Sequence, residues 1–181
     1  MDCDEELKAH APAELKSILA GEPSWCGHTP HGLWAADKFR AHWTCPLEEL
    51  PQEVQRVVTP MKDYLVWTPG KDLARWLKLV ARHAGKKPAY VLMTDDAWHY
   101  EAVGDPIASV LKVAPPFGAV DYKFDAQFLA DALAFLGDNR SAIGLSLTQH
   151  ILPAGCKSWF LSNKRANYQR YACVAPARTL R

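Results

Sequence analysis

The stretch FDAQFLADALAFLGDN, residues 124–139, reads as an amphipathic helix. Phe128, Leu129, Ala132, Leu133 and Leu136 fall on one stripe of a 3.6-residue period. Asp125 stands where a carboxylate can accept the first free amides of a helix, and Gly137 stands where the chain can leave it. The outward positions carry Asp125, Gln127 and Asp131 and no cation. The same periodicity occurs in APAELKSILAG (11–21), which ends at Gly21, and in GKDLARWLKLVARHAGKK (70–87). There Thr68 is a possible cap, Pro69 suits the first turn and Gly85 closes the run. Leu73, Leu77, Val80 and Ala84 share one face of that helix. Lys71, Arg75, Lys78 and Arg82, at steps of four, three and four, share the other.

Short apolar runs rich in β-branched and aromatic residues follow each helix. They are 32–36, 39–44 and 54–59 after the first, 89–94, 97–102 and 108–113 after the second, and 142–147, 157–162 and 168–175 after the third. Turn residues separate most of them, as in TDD at 94–96 and APPFG at 114–118. Helix starts therefore recur roughly every 50–60 residues, each followed by about three strands. One such unit is too small to bury its helix alone. The expectation is an α+β fold of repeated helix-plus-antiparallel-sheet units, joined edge to edge with the helices on one side.

The 181 residues suffice for one domain with a core or two small ones. With 21 basic and 20 acidic side chains the formal charge is +1, so only local clustering can argue for a polyanionic partner. No apolar run reaches the ~18 residues of a membrane helix, and MDCDEELKAH at the start is unlike a secretory signal. A soluble, cytoplasmic protein is expected. Five cysteines (Cys3, Cys26, Cys45, Cys156 and Cys173) at unrelated spacings, without a CxxC pair, read as free thiols.

Catalytic chemistry finds little support. Cys26, His28 and His31, with His42 and Cys45 downstream, could supply zinc ligands, yet their spacing matches no common zinc motif. Nothing in it requires a Cys–His nucleophile either. Asp95 and Asp96 beside His99 read as a hairpin turn. Neither GxxxxGK[ST] nor GxGxxG occurs. Seven tryptophans (Trp25, Trp34, Trp43, Trp67, Trp76, Trp98, Trp159) are assigned to core and sheet packing rather than to base stacking. No catalytic residue, metal or cofactor is assigned.

Residues 118–147 and the tail YQRYACVAPARTLR resemble the last half of the final domain of bacterial DNA polymerase III sliding clamps. That family has Phe-Asn, two variable residues, then Tyr-Leu-x-Asp-x-Leu-x-x-Leu on a helix; Phe124, Asp125, Phe128, Leu129, Asp131, Leu133 and Leu136 stand in register. Tyr171, Val174, Pro176, Arg178 and Leu180 match its terminal strand, with Ala175 and Ala177 where the family has methionines. GLWAADKFRAHW (32–43) is similar to its Ala-Thr-Asp-Gly-His-Arg-Leu turn at Ala35, Asp37 and Arg40, and departs from it at Lys38 and Phe39. Residues 54–65 are similar to the Val-Ile-Val-Pro segment that follows.

The resemblance implies a DNA-clamp fold, with residues 1–60 a divergent half-domain and 61–181 a clamp-like domain. It implies a non-enzymatic scaffold or processivity factor that forms homo-oligomers. Duplex DNA would meet Lys71, Arg75, Lys78, Arg82, Lys86 and Lys87. Short peptide motifs of DNA polymerase or other replication proteins would enter a pocket lined by Arg40, Val174, Pro176, Arg178 and Leu180. The alternative is a phage or plasmid mimic that binds host replication proteins without encircling DNA.

Overall fold

The computed structural model describes residues 13–19, 25–58, 65–102, 105–119, 123–137, 143–148, 158–165 and 168–177. In chain order these form α1 (Ala13–Leu19), β1 (Trp25–Thr29), β2 (Gly32–Ala36), β3 (Arg40–Trp43), a 3-10 turn at Leu47–Glu49 and α2 (Gln52–Val58). Next come β4 (Leu65–Trp67), α3 (Gly70–Ala84), β5 (Ala89–Met93), β6 (Trp98–Ala102) and β7 (Asp105–Leu111). The last are β8 (Lys123–Asp125), α4 (Ala126–Leu136), β9 (Ile143–Thr148), β10 (Ser158–Arg165) and β11 (Tyr168–Val174).

The strands make two antiparallel sheets. The larger has the order β1-β2-β3-β11-β10-β9-β4, the smaller β7-β6-β5-β8. The fold is α+β. Its plan follows from two short strands that precede helices. β4 leads into α3, whose own strands are β5–β7, yet β4 pairs with β9, placing Val66 opposite Gly144. β8 leads into α4, whose own strands are β9–β11, yet β8 pairs with β5, placing Phe124 opposite Val91. Each unit thus lends its lead-in strand to the other's sheet. The first unit joins differently: β3 lies against β11, with Ala41 opposite Cys173. That junction is edge to edge, as the repeat implies. The second and third units form two sheets instead of one, because three-residue lead-in strands cross over between them.

α4 packs against both α3 and α1, and all three pack against strands of the sheets. α4 is rich in alanine and leucine, the strongest helix formers, and Asp125 caps it, accepting from the amides of Gln127 and Phe128. α3 begins after Pro69 with no side-chain cap, so Thr68 does not serve as one. Both helices stop at glycines with positive φ, Gly85 at 62° and Gly137 at 109°, a conformation that costs a glycine little. Leu77, Ile18, Val91, Phe124 and Leu145 are fully buried in the core between helices and sheets. Burying each such side chain contributes about 1.5–3 kcal/mol.

Residues 54–59 read as a strand, but Gln52–Val58 is helical. Pro51 ahead of Gln52 and Glu53 is a helix-start signature that the valines obscured. The Gln55 amide donates to Pro51 O at 2.9 Å, and its side chain donates to Leu50 O at 2.6 Å. With Leu47 and Leu50, this segment covers the other face of the large sheet. Val54 packs there against a second core built on Trp34, Trp43 and Cys173.

Candidate nucleic-acid and peptide interface

Lys71, Arg75, Lys78 and Arg82 are all exposed along the outer side of α3. Leu73, Trp76, Leu77 and Val80 are buried on its inner side. Trp76 anchors the helix further, its indole N–H donating to Ser109 Oγ on β7 at 2.9 Å. Lys86 and Lys87 are exposed just beyond Gly85. Among the described residues none of these six cations makes an ion pair. Next to α3, α4 presents Gln127 and Ala134 to solvent. On the far side of α4, α1 exposes Lys16. Among the described residues, α3 carries four exposed lysines and arginines and α1 one.

The second region gathers around the turn between β2 and β3. Asp37 Oδ1 accepts from the amides of Phe39 at 2.7 Å and Arg40 at 2.9 Å, which shapes the turn. Arg40 is buried. Its Nε donates to Asp37 Oδ2 at 3.0 Å, a terminal nitrogen reaches Asp131 Oδ2 on α4 at 2.5 Å, and its guanidinium lies 4.3 Å from the Phe128 ring centre. Gln127 donates to the other oxygen of Asp131 at 2.7 Å. Burial raises the Asp125 carboxyl above the ordinary range, opposed by the amides it caps and by Arg40. Val174 is fully buried in the core and Pro176 is buried. The chain after β11 is held by Ala175 N–H to Phe39 O at 2.7 Å and Ala177 N–H to Lys123 O at 2.7 Å.

Of the five pocket residues expected from sequence, Arg40, Val174 and Pro176 do converge, but with their side chains largely withdrawn from solvent. Arg178 and Leu180 lie outside the described residues. The side chain that stands out here is Phe39, 55% exposed, stacked on Phe128 with centroids 6.2 Å apart. From sequence, Phe39 reads as the start of the run 39–44 and as a departure from a turn pattern, not as a contact residue. A large aromatic inside a polar turn was the available signal.

The Cys/His stretch is structural in its described parts. Cys26 is disulfide-bonded, which corrects the reading of all five cysteines as free thiols. Spacing along the chain does not reveal which cysteines meet in space. Cys45 and Cys173 are free and buried, and desolvation pushes the Cys45 thiol up, away from the reactive thiolate. His31 pairs with Glu49, whose carboxyl is held below its usual range, first by a Thr29 hydrogen bond and then by His31. Among the described residues no helix is long and apolar enough to cross a membrane.

The fold is similar to that of bacterial β sliding clamps. A protein described as a DNA polymerase III beta subunit of Eubacterium rectale matches 82% of this chain and 41% of its own length, at 12% identity and a TM-score of 0.48. The H. pylori beta clamp, solved in complex with diflunisal, matches 82% of this chain and 42% of its own, at 13% identity and TM-score 0.46. The same clamp with 5-chloroisatin matches at 12% identity and TM-score 0.46, over 43% of its length. The chain thus spans about two fifths of the clamp chains it matches. No family model matches the sequence, and no curated protein matches it.

Proposed function

We propose that this protein is a clamp-like, DNA-associated scaffold that touches duplex phosphates through α3 and holds partner peptides beside the β2–β3 turn. Residues 61–181 make its clamp-like domain and residues 1–60 a half-domain. The reciprocal exchange of β4 and β8 is the structural support for that division. What supports the DNA reading is the row of four exposed cations on α3, unpaired among the described residues, opposite an inner face that buries Leu73, Trp76, Leu77 and Val80. A solvated lysine-rich surface needs no such alignment. Phosphate binding does, because affinity rises with the number of contacts made together.

Reversing Arg75 and Lys78 to glutamate tests this. Duplex binding, followed by fluorescence anisotropy across a salt series, weakens sharply and its salt dependence flattens. Unchanged binding removes the DNA role. The rival, a mimic that binds replication proteins without touching DNA, draws support from the cation-free face of α4. It predicts capture of a polymerase or clamp-loading protein together with no measurable duplex affinity. Homo-oligomerisation belongs to the scaffold reading, and light scattering decides it.

A further inference from the structure

We infer that this chain engages one phosphodiester strand lengthwise along α3, as a single rail, rather than gripping a duplex across the whole helix layer. The inference rests on the DNA reading above and narrows it. The helix rise places Lys71, Arg75, Lys78 and Arg82 at axial steps of about 6, 4.5 and 6 Å, a rail of roughly 16 Å. Lys86 and Lys87 are exposed in the turn that follows Gly85.

The neighbouring surface does not widen the rail. α4, packed beside α3, has no lysine or arginine in AQFLADALAFL. Its Asp131 carboxylate is already bound to Arg40 and Gln127. Lys16 lies on a different helix, α1, which packs against α4. A second strand crossing α4 would meet no lysine or arginine of that helix; the cation beside it, Arg170 of β11, is spent on the Phe135 carbonyl at 2.7 Å. Among the described residues, the cations on the outer side of α3 and just after it number four, and six with the two lysines past Gly85.

The test measures binding of the full chain to a duplex and to a single-stranded oligonucleotide of equal length, each over a salt series. Four contacts give a logarithmic salt slope of about −3.6 on duplex and about −2.8 on the single strand, and six contacts give about −5.4 on duplex. Arg75→Ala with Lys78→Ala lowers the duplex slope by about 1.8. Lys16→Ala leaves it unchanged. These substitutions lie on exposed helix positions, and circular dichroism verifies the fold. A duplex slope steeper than about −5.4, or one that falls with Lys16→Ala, overturns the single rail while leaving DNA binding intact. Binding to duplex with none to the single strand also overturns it. Absence of binding to either nucleic acid overturns the DNA reading itself, and the rail with it.

Discussion

Removing the Arg40 side chain separates a structural role from a partner-binding one. The Arg40 side chain is 6% exposed, and those of its acids Asp37 and Asp131 are 9% and 17% exposed. Truncation to alanine strands both carboxylates in a desolvated place and removes the cation from the Phe128 ring. Breaking a buried pair in this way costs about 3–5 kcal/mol, a large part of a typical 5–15 kcal/mol stability. Part of that cost comes from the orphaned charge on Asp131. Arg40→Ala with Asp131→Asn therefore recovers more than 1 kcal/mol of the single loss, on the order of the coupling seen between contacting residues. Arg40→Lys keeps the charge but loses the fork that reaches Asp37 and Asp131 together, and it falls between wild type and alanine. Urea denaturation followed by tryptophan fluorescence and circular dichroism gives these differences. If Arg40→Ala shifts stability by less than about 1 kcal/mol with an unchanged denaturant slope, the pair is a solvated one and the packing argument fails. In that event Arg40 is free to meet a partner, and the pocket placement from sequence regains its footing.

Two further outcomes concern acids with shifted titration. Asp125→Ala lowers thermal stability through the lost cap, by about 1 kcal/mol, while Asp125→Asn, an equally good cap, is near neutral at pH 7. The raised Asp125 carboxyl means the native state favours its protonated form, so wild type gains on the asparagine variant as pH falls through the native value and loses that gain as pH rises through it; matched melts between pH 4 and pH 7 show the crossing. The depressed Glu49 carboxyl works in the opposite sense: its contribution is present above the ordinary glutamate range and is lost as pH falls through the native value. Glu49→Gln flattens this acid limb of the stability profile, and an unaltered limb shows that the Thr29–Glu49–His31 link is not what ties the β1–β2 hairpin to the 3-10 turn.

Much of the fold was legible because its strongest signals are local. The stripe Phe128–Leu136, the cap at Asp125 and the stop at Gly137 are features of one helix, and each is found where the pattern places it. The strand 32–36 was bounded by turn residues and matches β2. The misses share a physical cause. β4 and β8 have three residues each, too few for alternation to register, and they owe their existence to partners far along the chain, β9 and β5. In Gln52–Val58 the valines favour a strand, but the sheet face beneath them offers Trp34 and Trp43 to a helix instead. The candidate site divides the same way. Exposure of the α3 cations followed from helical phase. Burial of Arg40 and Val174 did not, because it depends on α4 lying across β3 and β11.

The near-zero net charge is no obstacle to a phosphate rail, and the structure shows why. Several acids that balance the cations are committed elsewhere: Asp37 and Asp131 to Arg40, Glu49 to His31, Glu101 to Lys123, Asp125 to helix amides, Asp95 to the Ala119 amide. They sit on turns, a strand and a cap, with Asp131 on α4, and none of them lies on the outer face of α3. A surface field reflects charges within about one Debye length, so acids on other flanks subtract little from it. Asp72, in the first turn of α3, is the exception, and a carboxylate there is stabilised by the helix amides. Total composition thus averages over regions that a bound polyanion would never sense together. With these acids engaged in pairs and caps, the lysines and arginines of α3 share their helix with a single acid, Asp72.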